Sequence, residues 1–260
     1  MTTTTTKTPF KLFPATPADF DAMGEISGDA FLTDSHTLLK AVWKGDNFHR
    51  EGSREGLVDL FNHPRVDITV ARKGVDGTGE VIGSIIWARR GYEEDADTTA
   101  TAAAVATTTI TSTMTFPPPP APVQAPSPSS PLTIKELEES TNNAMTHYVD
   151  HLMPQGTKCR YVYGLTVAPG YQGQGIGSAL LKWGTDKADQ EGVFCFVSSS
   201  MDGWRAYAKA GFVEVGRQEL RLDDYAQGIQ RKVKGEDGVE REEEWGMYIW
   251  RWMIRDPKVV

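Results

Sequence analysis

Apart from Cys159 and Cys195 the sequence contains no cysteine. At most one bridge can form, which excludes a small secreted scaffold stapled by disulfides and favours a reducing, cytoplasmic setting. No run of about 18 consecutive apolar residues occurs, so no stretch reads as a transmembrane helix and no membrane role is expected. Basic charge is scarce: 27 Lys and Arg against 35 Asp and Glu leave a formal charge of −8, the wrong balance for a chain that wraps nucleic acid. The start, Met1-Thr2-Thr3-Thr4-Thr5-Thr6-Lys7-Thr8-Pro9, has neither the apolar core of a signal peptide nor the Arg-rich character of a presequence, and residues 1–9 read as a disordered leader. Ser198-Ser199-Ser200 lacks the flanking glycines of a hydrolase elbow. His147 and His151 stand at i and i+4 without a third ligand in a recognised pattern, so no metal site is expected.

What is present is globular. The 260 residues are 39% hydrophobic and 24% charged, enough for one large domain or two small ones at roughly 150 residues each. The main interruption spans about 93–131, where Thr and Ala give way to Pro117-Pro118-Pro119-Pro120 and a Ser/Pro tail. Such a stretch buries little and cannot donate ladder hydrogen bonds. We read it as an insert within a single domain covering 10–255, with a second, acidic loop at about 223–244.

The rest reads as alternating helices and strands. Thr16-Pro17-Ala18-Asp19 has an N-cap, a proline at the first helical position and an acid in the first turn. Phe20, Met23, Ser27 and Phe31 follow at helical spacing. Further helices are expected through Leu38 to Trp43 and through Leu57 to Phe61, stopped near Pro64. Residues 66–72 and 81–87 form a β-hairpin pattern about a Gly-rich turn. Thr133-Ile134-Lys135-Glu136 is a capping box that opens a helix toward Leu152. Residues 161–167 read as a strand covered on both faces, 175–191 as a helix closed by Gly192, and 193–197 as a second buried strand. That is a βαβ unit with parallel strands. A short helix through Trp204 and Tyr207, a strand from Phe212 and an aromatic-rich strand at 245–254 complete a mixed α/β sheet flanked by helices.

The informative segment joins the two parallel strands. Glycines at 173, 175 and 177 strip Cβ atoms where strand turns into helix, so that backbone N–H groups can approach an anion closely. First-turn amides have no partner inside the helix, and the macrodipole favours negative charge there by up to about 2 kcal/mol. A phosphate or pyrophosphate suits the turn. A nucleotide-hydrolysing loop would need a lysine after Gly177, where Ser178 stands, and a dinucleotide fingerprint would need a third glycine at 178.

Gln172-Gly173-Gln174-Gly175-Ile176-Gly177 resembles the Gln/Arg-x-x-Gly-x-Gly/Ala signature of the GNAT superfamily of N-acetyltransferases. Leu165-Thr166-Val167 with Pro169 is similar to that family's preceding strand end, and Tyr207-Ala208-Lys209-Ala210-Gly211-Phe212 to its Tyr-x-Lys-x-Gly-Phe box. The resemblance implies a GNAT-like acyl-CoA N-acyltransferase fold and acetyl-coenzyme A as co-substrate. Backbone groups of Leu165 and Val167 would pair with the pantetheine arm, with Thr166 beside it. Amides of Gln172, Gly173, Gln174, Gly175, Ile176, Gly177 and Ser178 would hold the pyrophosphate. Ser200 falls where many members carry a cofactor-contacting asparagine. Tyr207 would protonate the departing thiolate.

Two features keep a packing reading beside the functional one: the glycines as a tight connection and Tyr207 as a half-buried core tyrosine. Glu25, Asp29, Asp34 and Asp202 are candidates for the base, among which spacing does not choose. With no activated Cys or Ser, direct attack by a primary amine of a small molecule is the expected reaction, and Asp34 and Asp202 are candidates to draw a cationic one. The alternatives are a coenzyme A-binding regulatory module without turnover and a peptide or protein N-acetyltransferase.

Overall fold

The computed structural model describes residues 7–92, 110–122, 132–154, 156–235 and 237–258. Caps set where its helices begin. Thr16 donates from its backbone N–H to the Asp19 carboxylate at 2.8 Å, in a 3-10 turn over Pro17–Asp19 that runs into α1 (Phe20–Ala30). Asp34 caps α2 (Ser35–Lys44) by accepting from the Thr37 N–H at 2.8 Å, and α3 (Phe48–Phe61) stops before Pro64. The Thr133/Glu136 box opens α4 (Ile134–Leu152) as its spacing predicts.

β1 (Phe10–Pro14), β2 (Val66–Lys73), β3 (Val81–Arg90), β4 (Cys159–Val167), β5 (Phe194–Ser199), β6 (Val213–Arg221) and β9 (Met247–Arg255) form a seven-stranded sheet in the order β1-β2-β3-β4-β5-β9-β6. β4 and β5 are parallel and every other neighbouring pair is antiparallel. The parallel pair follows from its connection, α5 (Ile176–Glu191), which must cross over to return the chain to the same end. Side chains alternate across the sheet. Cys195, Val197 and Met253 meet α5 and Tyr207 of α6 (Trp204–Lys209). Phe194, Phe196, Trp252 and Ile254 meet α4 on the opposite face. α1 and α3 cover Ile68 and Val70 on that second face. On α5 the buried stripe is Ile176, Leu180, Leu181, Gly184 and Ala188, with Trp183 only partly buried. At Gly184 a Cβ would collide with the Trp87 indole, so the missing methyl group is what lets the ring lie against the helix.

Four expectations are corrected. β1 was missed, and the leader assigned to 1–9 is tied down at its end, since Thr8 N–H donates to Gln174 Oε1 at 3.0 Å and Pro9 O accepts from Gly74 N–H; residues 1–6 lie outside the described residues. The insert at 93–131 falls largely outside them as well, but its segment 110–122 packs on the domain. Ile110 is 6% exposed against Tyr148 and Trp252 in the α4 layer, and Ser112 N–H donates to Asp256 at 2.9 Å. The acidic stretch is not all loop. It holds a 3-10 turn at Leu222–Tyr225 and a hairpin of β7 (Arg231–Lys234) and β8 (Glu240–Glu243), whose cross-strand ion pairs, Arg231 with Glu243 and Lys232 with Glu240, both at 3.4 Å, offset a poor strand composition. β4 is covered on both faces only in its first half: Tyr163 is 60% exposed.

Two measurements follow from this packing. Ile110→Ala should cost about 2–4 kcal/mol in urea denaturation, the range for an aliphatic side chain removed from a core; a change below about 0.5 kcal/mol would show that the insert merely rests there. His36 is buried against Tyr248 and Trp250, and burial, with Lys40 adding, pushes it down from 6.5 to about 3. Between those values the unfolded chain binds the proton and the folded chain does not, so this residue makes stability fall as pH drops through that window, by up to about 1.4 kcal/mol per unit. His36→Phe should flatten the stability difference between pH 7 and pH 5; an unchanged slope would assign the acid sensitivity elsewhere.

Candidate active site

The site begins where two strands separate. β4 and β5 pair from Cys159 with Phe194 as far as Val162 with Val197, and no further. β4 continues to Val167 along β3, but Ile86 pairs with Gly164 and Trp87 with Val162, so Tyr163 is the extra residue of a β-bulge. Past the bulge, Ala168 N–H donates to Ile82 O at 3.0 Å. Amide edges alternate along a strand, so Leu165 and Val167 turn theirs away from β3 and into the gap beside β5. Thr166 faces β3 with its backbone, and its Oγ1 lies 3.1 Å from Ser84 Oγ. The Val167 carbonyl already accepts from Gln172 Nε2 at 3.1 Å.

At the end of this open edge lies the Gly-rich turn. Gly173 and Gly175 have φ of +73° and +91°, a region costly for residues with a Cβ, and nothing lies within 4 Å of either ideal Cβ position. Gly177 differs: it is helical, and its Cβ would make ordinary contact with Val167 Cγ2 at 3.6 Å. The amides of Gly173, Gln174, Gly175, Ile176, Gly177 and Ser178 find no acceptor among the described residues, whereas the Gln172 N–H is taken by Pro169 O at 3.3 Å. The Gln172 amide is therefore removed from the expected anion set. Side chains brace the turn: Gln174 Nε2 donates to Gly170 O at 3.2 Å, and Tyr171 OH donates to Glu80 at 2.7 Å. The cleft is about 460 Å³ and is also lined by Lys209, Ser200 and Asp202. Free amides at a helix start, open space over the glycines and a nearby ammonium suit a pyrophosphate.

Tyr207 sits at the inner end of the gap. It shares a cavity of about 200 Å³ with Val162, Leu165, Val197, Ser198 and Trp250, packs edge-on to Phe212 at 5.6 Å and is 7% exposed. Burial alone acts on its hydroxyl, raising the pKa above the usual tyrosine value. Ser198 Oγ and Trp250 Nε1, in the same cavity, are buried without a partner among the described residues. Ser200 lines both spaces but uses its Oγ to accept from Gly203 N–H at 3.3 Å, in the turn that precedes α6. Cys159 and Cys195 are buried thiols pushed up to about 12, inert at neutral pH.

The four carboxylates proposed as base separate. Glu25 and Asp29, both on α1, pair with Arg50 of α3. Asp34 and Asp202 line the cleft of the Gly-rich turn; Asp34 accepts from Tyr248 OH at 2.7 Å as well as from Thr37, and burial raises its pKa. A second groove, about 400 Å³, opens between α1, α3 and the β3–β4 edge and meets the first at Phe31, Leu165 and Thr166. No carboxylate of the described residues lines it. His49 does, with Nε2 3.2 Å from Ser27 Oγ, and burial pulls its pKa down. Sequence reasoning missed His49, Phe48, Tyr163 and Ser53, because four elements distant in sequence assemble this wall.

Residues 142–212, which carry the open edge, the turn and Tyr207, match the Acetyltransferase (GNAT) family. No curated protein matches the chain. Among solved structures, one described as histone acetyltransferase HPA2 and related acetyltransferase from Corynebacterium glutamicum is 18% identical, covers 98% of this chain and 99% of its own, and has a TM-score of 0.48. A mosquito arylalkylamine N-acetyltransferase like 5b is 15% identical over 95% and 99% of the two chains, with a TM-score of 0.48. Arabidopsis thaliana NAA60, in complex with a bisubstrate analogue, is 13% identical over 96% and 99%, again with a TM-score of 0.48. Likenesses this distant carry no information on what this chain acts upon.

The contrast between two glycines tests the anion reading. Gly175→Ala should weaken coenzyme A binding about tenfold or more in calorimetry, because an L residue held in the left-handed region costs about 1–2 kcal/mol. Gly177→Ala should leave affinity within about twofold, since alanine suits a helical position better. Equal behaviour of the two variants would contradict the reading.

Proposed function

We propose that the chain is an acetyltransferase of the GNAT superfamily, whose family model matches residues 142–212, and that it moves the acetyl group of acetyl-coenzyme A to the primary amine of a small molecule by direct attack in a ternary complex. One observation carries the proposal: the strands part after Val162 and Val197, so that an unpaired backbone edge at Leu165 and Val167 runs straight into a glycine turn with unsatisfied amides. That geometry accepts an extended chain with an amide along it and a pyrophosphate at its end.

Acetyl-coenzyme A supplies an activated thioester; the residues hold, orient and protonate. The Leu165 N–H and C=O and the Val167 N–H pair with the pantetheine amides. The amides of Gly173 to Ser178 hold the pyrophosphate, with Lys209 contributing charge. Thr166 and Ser200 line the passage between them. Tyr207, whose cavity lies where the edge leaves β5, delivers the proton to the sulfur. Its burial supports this role, because a hydroxyl whose pKa is raised keeps its proton until a basic thiolate forms nearby. Neither thiol is suited to carry an acyl group, which supports transfer without an acyl-enzyme. No helix among the described residues is long and apolar enough to cross a membrane, and cytoplasmic residence suits both free cysteines and this co-substrate.

The deciding experiment is release of free thiol from acetyl-coenzyme A with a panel of amines, read together with product mass. Acetylation of a primary amine supports the proposal. Tight cofactor binding with no acceptor acetylated would instead favour a regulatory coenzyme A-binding module. Tyr207→Phe should lower kcat about 100-fold or more, the range for a lost general acid, with cofactor affinity unchanged; near-native turnover with a chemistry-limited substrate would return Tyr207 to a packing role.

A further inference from the structure

Among the described residues, no Asp, Glu, Lys or Arg lines the second groove. Its wall is aromatic and aliphatic, chiefly Met23, Phe31, Phe48, Leu57, Ile86 and Tyr163, interrupted by Ser27, Ser53, Ser84, Thr166 and His49. Ser27 Oγ lies 3.0 Å from Ser53 Oγ and 3.2 Å from His49 Nε2, so three of those polar groups engage one another. Burial first and Lys40 second hold the pKa of His49 below its usual value, which favours the neutral ring. Both arginines of α3 are engaged by carboxylates: Arg50 pairs with Glu25 and Asp29, and Arg54 with Asp21. A second ammonium placed in this groove would lose its hydration without gaining a carboxylate. At about 400 Å³ the space is of the size that encloses a small organic molecule.

Gly52 and Gly56 face it one helical turn apart on α3, and nothing stands within 4 Å of the Cβ either would carry. A glycine inside a helix costs about 0.5–1 kcal/mol relative to alanine, and no packing neighbour offsets that here. Their effect on the groove is to widen it.

Resting on the acetyl-transfer reading, we propose that this groove is the acceptor pocket and that it selects a monoamine with an uncharged, apolar or aromatic body, not a polyamine or other dication. The amine end reaches the open edge at Phe31, Leu165 and Thr166, where both spaces meet. Desolvation by the apolar wall disfavours the ammonium form, so the groove presents the nucleophilic neutral amine without a carboxylate. The amine nitrogen forms the new bond to the acetyl carbon as the carbon–sulfur bond breaks. Its proton leaves to water at the groove mouth while Tyr207 protonates the sulfur. This replaces the expectation of a cationic acceptor drawn by Asp34 and Asp202, which line the other cleft.

The test compares 2-phenylethylamine, spermidine and a short peptide with a free N-terminus on the wild-type chain, Gly56→Leu and Gly52→Leu. Each substrate is assayed for kcat/KM, and 2-phenylethylamine binding in the presence of coenzyme A is measured by calorimetry. The expected result is a kcat/KM for 2-phenylethylamine at least tenfold above that for spermidine and for the peptide. Either leucine variant should lower the 2-phenylethylamine value and its affinity at least tenfold while leaving acetyl-coenzyme A affinity intact. Preference for spermidine or the peptide would overturn the proposal, as would leucine variants with undiminished 2-phenylethylamine affinity. If 2-phenylethylamine binds the wild-type chain, is excluded by the leucines and is never acetylated, the groove assignment stands and the acetyl-transfer reading fails.

Discussion

Everything functional in this fold depends on two parallel strands that stop pairing. After Val162 and Val197 the hydrogen-bond ladder between β4 and β5 ends, and an edge inside the sheet is left with unmade backbone bonds. Buried backbone groups are costly to leave unpaired, so such an edge persists when its surroundings hold it open and a partner can complete it. The bulge at Tyr163 turns β4, while β3 on one side and β9 on the other keep both strands in the sheet. α6 then places Tyr207 at the closed end of the gap.

The helix whose first turn meets the gap is fixed at its far end by ion pairs to two buried guanidiniums. Arg160 on β4 donates to Glu191, the last residue of α5, from Nε at 2.8 Å and from an Nη at 2.5 Å, and to Asp67 on β2 at 3.1 Å. Arg255 on β9 forks onto Asp189 with two contacts of 2.7 Å. Both guanidiniums are nearly fully buried. Pairs of this kind add little net stability, but removing one partner strands a charge, so they enforce a single placement of the helix. Held there, α5 aims its unsatisfied amides at the cleft.

Much of the fold was legible because its signals are local. A cap and a proline start α1, a capping box starts α4, and a strand, glycines and an amphipathic run spell the parallel unit. The turn was legible for the same reason: positive φ at Gly173 and Gly175 is a demand each residue meets alone. What escaped was assembled at long range. β1 is five residues that become a strand only beside β2, and the acidic hairpin depends on cross-strand charge pairs. Ile110 and Phe116 are isolated apolar residues in a Thr/Ala/Pro background, and their packing on the α4 layer leaves no periodic trace. Spacing did not choose among the carboxylates because their partners come from distant elements: Asp34 caps α2 and accepts from Tyr248 of β9.

The central claim is that the parted edge and the glycine turn together form one binding surface for acetyl-coenzyme A. Amide hydrogen exchange, followed residue by residue with and without acetyl-coenzyme A, addresses those backbone groups directly. The account predicts slowed exchange at Leu165, Val167 and from Gly173 to Ser178, with little change along β7 and β8. Saturating binding that leaves these amides exchanging at their free rates would contradict it.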